Sequence, residues 1–133
     1  MKVLVDTCIW SLALRRKKES FDPAINALNE LIMDGRVQMI GAIRQEILSG
    51  IKSNQQYEQL KNTLRAFPDI VHTPGDYELA AKFFTTCRST GIQGSNTDFL
   101  ICAVAVRNGM VILTNDKDFF LFQKHIDIHI YSA

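Results

Sequence analysis

The sequence predicts an α/β fold, a three-layer α/β/α sandwich with a mostly parallel central sheet of about five strands. Two observations lead to it. Short apolar segments rich in β-branched residues alternate along the chain with longer segments whose apolar residues recur at helical spacing. Such alternation is typical of a parallel sheet whose strands are joined by crossing helices. The 133 residues suit a single domain that spans positions 1–133.

Five segments are predicted strands, because each is short, apolar and bounded by polar or turn residues. In chain order they are Lys2 to Asp6, Val37 to Ile40, Ile70 to Val71, Val111 to Leu113 and Ile128 to Ile130. The first and the fourth of them run directly into polar segments, DT and TNDKDF.

Longer segments with helical spacing of apolar residues are predicted helices. They run from Thr7 to Leu14, from Asp22–Pro23 to a stop at Gly35, from Gly41 to about Ser49, from Gln55 to Phe67, from Gly75 to Thr90 and from Asn96 to Asn108. The pairs Asp22–Pro23 and Thr73–Pro74 each place a capping residue before a proline at the first helical position. Asn96 is predicted to cap the last helix, and its interior FLICAVAV is apolar all round and therefore buried.

The composition excludes several classes of protein. A hydrophobic content of 47% and a charged content of 22% predict a folded chain. No apolar run approaches the roughly 20 residues of a membrane span, and the N-terminus lacks the features of a secretory signal, so a cytoplasmic protein without membrane contact is expected. The cysteines, Cys8, Cys87 and Cys102, form no CxxC pair and are predicted core residues, and the three histidines lack zinc spacing.

Four acidic residues stand just after strands or within helices that follow strands: Asp6, Glu46, Asp98 and Asp116. Parallel strands end at the same edge of a sheet, so acids far apart in sequence can meet there. Clustered carboxylates favour a hard cation such as Mg²⁺ or Mn²⁺, and such a site indicates phosphoryl chemistry. Apart from these four, the chain has 10 acidic and 15 basic residues, a balance of +5 that suits a polyanionic substrate.

Each acid also has a purely structural interpretation. Asp6 and Asp98 stand where helix capping and the helix dipole favour a carboxylate. Glu46 has the position of an ordinary surface residue, and Asp116 lies in a turn segment. Nearby polar side chains are predicted to support the acids by orienting them or the metal waters: Thr7, Asn96, Thr114, Asn115 and Asp118.

The residues around these acids carry a family resemblance over nearly the whole length. VLVDTCIW, IRQEILSGI and GIQGSNTDFLICAVAVRNGMVILTNDKDF resemble, in order and spacing, the blocks of the PIN-domain ribonucleases, and specifically of the VapC-type toxins of toxin–antitoxin pairs. The resemblance implies an endoribonuclease that depends on Mg²⁺ or Mn²⁺, with Asp6, Glu46, Asp98 and Asp116 as its catalytic acids and metal ligands. Asp118 shares the role of the fourth acid in this interpretation.

The resemblance also implies partners: an RNA substrate, a cognate antitoxin that inhibits the enzyme, and a second copy in a homodimer. The basic side chains of Arg15, Arg16, Lys17 and Arg44 are candidates for contact with RNA or antitoxin, with a solvated surface as the alternative. Trp10 and the segment FFLF at Phe119 to Phe122 are predicted core or dimer contacts rather than base-stacking platforms.

Other functions fit less well. A non-catalytic PIN-like module that binds RNA or protein is the main alternative, but all four acids are present. A phosphatase with Asp6 as nucleophile needs a second aspartate where Cys8 stands. A receiver domain needs an acidic pair near the first strand, and a dinucleotide-binding domain needs a GxGxxG motif after it. The sequence has neither feature.

Overall fold

The computed structural model describes residues 1–15 and 22–132. Arg16 and Lys17, two of the predicted basic contacts, lie outside the described residues, as does the side chain of Arg15.

A parallel sheet of three short strands lies at the centre of the described fold. The strands are β1 (Val3–Val5), β2 (Val37–Gln38) and β3 (Val111–Leu113), in the order β2-β1-β3. Val3 of β1 lies opposite Val37 on one side and Val111 on the other. All three residues of β1 are fully buried. The central strand therefore brings the residue that follows it, Asp6, to the middle of the sheet edge.

Two of the five predicted strands are reduced to single bridges. Asp69 forms an isolated parallel bridge with Met39, just after β2, and Ile130 forms one with Ile112 of β3. The prediction of a strand at Ile70 to Val71 is wrong in extent, because Val71 is 84% exposed and has no buried face to pair. The parallel α/β architecture itself is confirmed.

Seven helices occur in the described part of the chain. They are α1 (Thr7–Arg15), α2 (Pro23–Met33), α3 (Gly41–Ser49), α4 (Asn54–Leu64), α5 (Pro74–Ser89), α6 (Asn96–Arg107) and α7 (Lys117–Phe122). The predicted cap of α2 is confirmed, since the Asp22 carboxylate accepts from Ala24 N at 2.8 Å. Gly35, just beyond α2, has a positive φ of 67°, which explains the stop there. None of the helices in the described residues has the length and apolar character needed to cross a bilayer.

Helix α6 is the buried helix of the fold. Six of the seven residues from Phe99 to Ala105 are buried, Leu100 is half-buried, and the helix packs along α5. The apolar surroundings hold the helix axis in place, so its first turn, with Asp98, has a fixed position at the sheet edge. Cys87 and Cys102 are buried in the same core, as predicted.

The aromatic residues divide between core and surface. Trp10 is 5% exposed and packs edge-on against Phe67, with 5.3 Å between ring centroids. Phe119 and Phe122 are fully buried, whereas Phe120 and Leu121 are exposed on the other side of α7. The predicted core role therefore holds for Trp10 and for one face of the segment FFLF.

Candidate active site

A cavity of about 620 Å³ opens at the carboxyl ends of the strands, and all four predicted acids line it. The other residues of its wall are Thr7, Cys8, Ala42, Gln45, Ser49 and Thr97. The acids come from four different places in the chain: the end of β1, the middle of α3, the first turn of α6 and the segment after β3. Parallel topology alone brings them to one edge.

Asp6 is the most constrained of the four acids. It is 5% exposed, and both of its carboxylate oxygens accept hydrogen bonds. Oδ1 accepts from Thr7 N at 2.8 Å, and Oδ2 accepts from the Thr114 hydroxyl at 2.9 Å and the Cys8 thiol at 3.2 Å. These donors fix the orientation of the carboxylate and offset part of the cost of burying its charge.

Thr114 connects two of the acids. It is 8% exposed, and its hydroxyl donates to Asp6 and accepts from Asp116 N at 3.0 Å. A backbone bond from Asp6 N to Leu113 O, 2.9 Å long, joins the same two segments. The supporting role predicted for Thr114 therefore has a direct geometric basis: it sets the position of Asp116 relative to Asp6.

Glu46 is held from the neighbouring helix. The Thr7 hydroxyl donates to its Oε1 at 2.6 Å, across the contact between α1 and α3. Thr7 thus binds one acid through its backbone N–H and another through its side chain. Glu46 remains exposed to solvent, so it is a surface residue whose carboxylate Thr7 holds in the wall of the cavity.

Asp98 has a structural role as well as a place in the cavity. Ser95, and not Asn96, is the N-cap of α6, so the predicted cap is wrong by one residue. The Ser95 hydroxyl accepts from Asp98 N at 3.0 Å, and an oxygen of Asp98 accepts from Ser95 N at 3.1 Å. This reciprocal capping box explains the shift, because the third helical position after Ser95 carries an acid and the one after Asn96 does not.

Asp116 also combines two roles, since it caps α7 by accepting from Asp118 N at 2.9 Å. Asp118 itself is exposed, as is Asn115. Within the described residues the cavity wall includes neither of them, nor Asn96. The predicted sharing of the fourth acid between Asp116 and Asp118 is therefore not reflected in the geometry, which places Asp116 alone in the wall.

Burial and mutual repulsion shift the titration of these groups. Burial raises the pKa of Asp6 above its ordinary value, and the charge of Asp98 adds to the increase. Burial likewise raises the pKa of Asp98, with the charges of Asp116 and Glu46 as further causes. Burial and the Asp6 charge together raise the pKa of the Cys8 thiol to about 11, so Cys8 is a neutral donor at pH 7. An acidic site with such internal repulsion favours a bound cation.

The donor set of the cavity fits a hard cation. Its four acids offer only carboxylate oxygens, which Mg²⁺ and Mn²⁺ prefer. Within residues 1–15 and 22–132 no three His, Cys, Asp or Glu side chains stand together as a ready metal cage. Mg²⁺ rarely needs one, because it binds through one or two carboxylates and keeps several of its waters.

Several residues of the wall were missed at the level of sequence. Ala42, Gln45 and Ser49 lie on the same face of α3 as Glu46, and the spacing i, i+3, i+4, i+7 could have identified them. Cys8 was predicted to be a core residue but is half-buried, with its thiol on Asp6. The sequence signal for this contact was that Cys8 stands two residues after Asp6, the acid that follows β1.

Arg44 lies in a different environment from the one predicted. Its guanidinium pairs with Asp69 at 2.8 Å and donates to Leu64 O at 3.0 Å and to Phe67 O. These carbonyls belong to the end of α4 and the turn after it. The structure therefore gives Arg44 an anchoring role between α3 and the end of α4, and most of its donors are used within the chain.

The raised pKa of Asp98 predicts that Asp98→Asn stabilises the metal-free protein. As pH rises above the ordinary value of 3.8, the unfolded chain loses a proton that folded Asp98 still holds, so stability falls through this window and stays lower above it. Asparagine removes that cost while its oxygen can still accept from Ser95 N. We expect a higher melting temperature at pH 7, by about 2–8 °C, and a smaller difference near pH 4.

Thermal unfolding of metal-free protein at both pH values measures this effect. Asp127→Asn is the matched control, because the Asp127 side chain is 94% exposed. A lower melting temperature for Asp98→Asn at pH 7 would mean that the lost cap outweighs the relieved repulsion.

The structure thus defines the class of the protein: a parallel α/β fold with an acidic site, formed by four carboxylates at the strand ends, that suits a hard cation. The chain belongs to the PIN domain family, which matches residues 3–124.

Proteins similar to this chain carry related names. Ribonuclease VapC11 of Mycobacterium tuberculosis and VapC ribonuclease Mb1587 of Mycobacterium bovis are each 29% identical to it over 121 residues, 88% of this chain and 88% of the relative. Among solved structures, VapBC2 from Rickettsia felis bound to a DNA fragment from its promoter superimposes with a TM-score of 0.78 at 18% identity. That alignment covers 100% of this chain and 99% of the other, and it confirms the fold.

Proposed function

We propose that this chain is a VapC-type endoribonuclease, the toxin of a type II toxin–antitoxin pair, which hydrolyses RNA phosphodiester bonds with the help of a divalent cation. The observation that carries the proposal is the convergence of Asp6, Glu46, Asp98 and Asp116 on one cavity in a chain of the PIN domain family. The names of the similar proteins, VapC ribonucleases, support the reaction class.

In this proposal Asp6 and Asp98 are the principal metal ligands, with Asp116 and Glu46 completing the acidic wall. When bound, Mg²⁺ or Mn²⁺ supplies a water of lowered pKa and neutralises charge on the phosphate. The chain's own contribution is orientation. Thr114, Cys8 and the backbone of Thr7 hold Asp6, and the side chain of Thr7 holds Glu46.

Fixed carboxylates matter because a catalytic group displaced by about 1 Å can cost a hundredfold in rate. The capping box on Asp98 and the bond that Asp116 N donates to the Thr114 hydroxyl serve the same purpose. The reacting phosphate would lie in the open part of the cavity, where Gln45, Ser49 and Thr97 offer neutral polar groups. No histidine or cysteine nucleophile is needed, and the Cys8 thiol stays protonated at neutral pH.

The proposal includes two protein partners. The titles of similar structures name toxin–antitoxin complexes, which supports a cognate antitoxin for this chain. A homodimer is the expected state of the free enzyme. Light scattering on the purified chain measures its mass, and a monomer over the micromolar range would contradict this part of the proposal.

The deciding experiment for the function is cleavage of a total-RNA pool by the purified chain. We expect discrete fragments in Mg²⁺ or Mn²⁺, complete loss of cleavage in EDTA, and recovery when the cation is restored in excess. The physical reason is that uncompensated carboxylates repel both each other and the phosphate. RNA that is bound but stays intact in both cations, with the protein folded, would instead favour the non-catalytic binding module.

A further inference from the structure

A smaller cavity lies at the start of α6, the helix that also carries Asp98 of the acidic cavity. Its volume is about 180 Å³, and its lining residues are Phe84, Arg88, Ile92, Gln93, Gly94 and Phe99. Pockets for whole drug-sized ligands measure roughly 300–1,000 Å³, so this one suits a single ring system. It lies between the end of α5, the loop that follows, and the start of α6.

The lining has the chemistry that recognises a planar heterocycle. The Phe84 and Phe99 rings meet edge to face, with centroids 5.3 Å apart, and the Arg88 guanidinium carbon lies 5.5 Å from the Phe84 centroid. Gln93 is exposed at the rim and carries both a donor and an acceptor. Unstacked RNA bases are held in this way, stacked on aromatic or guanidinium planes and hydrogen-bonded at their edges.

The wall of this cavity is preformed. A Cβ at Gly94 would lie 2.5 Å from the Phe122 ring and 3.0 Å from the Phe99 ring, so only glycine allows the loop backbone to pack on these buried side chains. The loop therefore rests on rigid aromatic residues. A preformed cavity costs little ordering entropy when a ligand enters.

The charge around the cavity suits a polyanion. Residues 79–97 contain Lys82 and Arg88 and no acidic residue. Within the described residues, no carboxylate lies in salt-bridge distance of the Arg88 guanidinium, which is exposed to solvent. This stretch leads directly into the turn of α6 that carries Asp98, so the basic side chains can attract an RNA phosphate chain that also extends to the carboxylates.

Residues that line the two cavities are close together in the chain. Gly94 lines the small cavity and is bonded to Ser95, whose N–H donates to an Asp98 carboxylate oxygen at 3.1 Å. Phe99 directly follows Asp98 in the chain. A nucleotide whose base enters the small cavity would therefore lie within a few residues of Asp98, at the same end of α6.

We propose that the cavity formed by Phe84, Arg88, Gln93 and Gly94 binds one unstacked nucleobase of the RNA substrate, at a nucleotide beside the cleaved bond. The choice of RNA as the ligand rests on the proposed ribonuclease function. Selection of that base would contribute to the sequence preference of cleavage.

Nucleotide titration tests the binding site without any catalysis. Metal-free protein labelled with ¹⁵N is titrated with AMP, CMP, GMP and UMP, and with ribose 5-phosphate as the control that lacks a base. We expect amide shifts at Ile92, Gln93 and Gly94 that differ between bases. An absence of shifts there, or equal shifts with ribose 5-phosphate, overturns the proposal and indicates a phosphate contact or no nucleotide site.

Cleavage kinetics provide the second test. Phe84→Leu and Arg88→Gln should each lower kcat/KM by roughly 5- to 100-fold, the range for loss of one stacked base, and should change the nucleotide preference at the cut. Arg65→Gln is the matched control for charge, because Arg65 is an exposed arginine at the end of α4 and lines neither cavity. Melting temperatures of all variants separate lost binding from lost folding.

The outcomes distinguish the two proposals. Cleavage by the wild type, with both variants behaving like Arg65→Gln, contradicts the base site and leaves the ribonuclease function intact. A wild type that cuts no RNA contradicts the function, and the titration then decides the base site alone.

Discussion

We expect Asp98→Asn and Asp6→Asn each to lower RNA cleavage by about 10³-fold or more, because each variant loses a group that carries charge in the reaction. At Asp98 the amide keeps the contact with Ser95 N but loses the negative charge. At Asp6 the loss is larger, because one amide oxygen replaces two carboxylate oxygens that accept three donors. Initial rates on a short RNA that contains a mapped cleavage site measure both effects.

Asp127→Asn is the control for this series, since it removes the same charge from a fully solvated position and should leave the rate unchanged. Circular dichroism and thermal unfolding show whether each variant is folded. A rate within tenfold of the wild type for folded Asp98→Asn would contradict the assignment of this cavity as the active site.

Asp76→Ala is expected to have the largest effect on stability away from the site, a loss of about 2–3 kcal/mol. Asp76 is 4% exposed, accepts from Thr73 N at 2.9 Å in the capping box of α5, and pairs with Arg107 Nε at 2.9 Å. The alanine variant loses the cap and the ion pair that joins the start of α5 to the end of α6. The half-exposed Arg107 can turn to water, which limits the cost.

Urea unfolding measured by fluorescence gives this difference directly. Glu78→Ala is the matched control, an exposed acid on the same helix, and should change the stability by less than about 0.5 kcal/mol. Asp76→Asn should fall between the two, because its amide oxygen still accepts from Thr73 N. An Asp76→Ala variant as stable as Glu78→Ala would show that the ion pair and the cap contribute nothing net.

The meeting of the acids could be predicted because it depends only on topology. Asp6 follows the buried strand β1, and Asp98 lies in the first turn of the buried helix that leads into β3. The parallel order of these strands suffices to place both acids at one edge of the sheet. Fine geometry follows from contacts between distant segments, which a strand or helix pattern does not contain. The hydrogen-bond partners of Arg44 depend on the path of the chain at the end of α4 and just after it. The thiol of Cys8 contacts Thr114 only because β1 pairs with β3.

The displaced cap of α6 is a different kind of failure, because the information was present. Both Ser95 and Asn96 are good capping residues, and the acid three positions after Ser95 decides between them. The strand predicted at Ile70 to Val71 failed because apolar character was taken as burial, while Val71 faces solvent. Short apolar pairs carry too little pattern to separate these cases.

The bond between Thr114 and Asp6 joins residues 108 positions apart. During synthesis Asp6 is made long before β3. A nascent chain that ends before β3 therefore has Asp6 without the hydrogen bond that Thr114 donates. The acidic site is therefore incomplete until β3 has been made and has paired with β1.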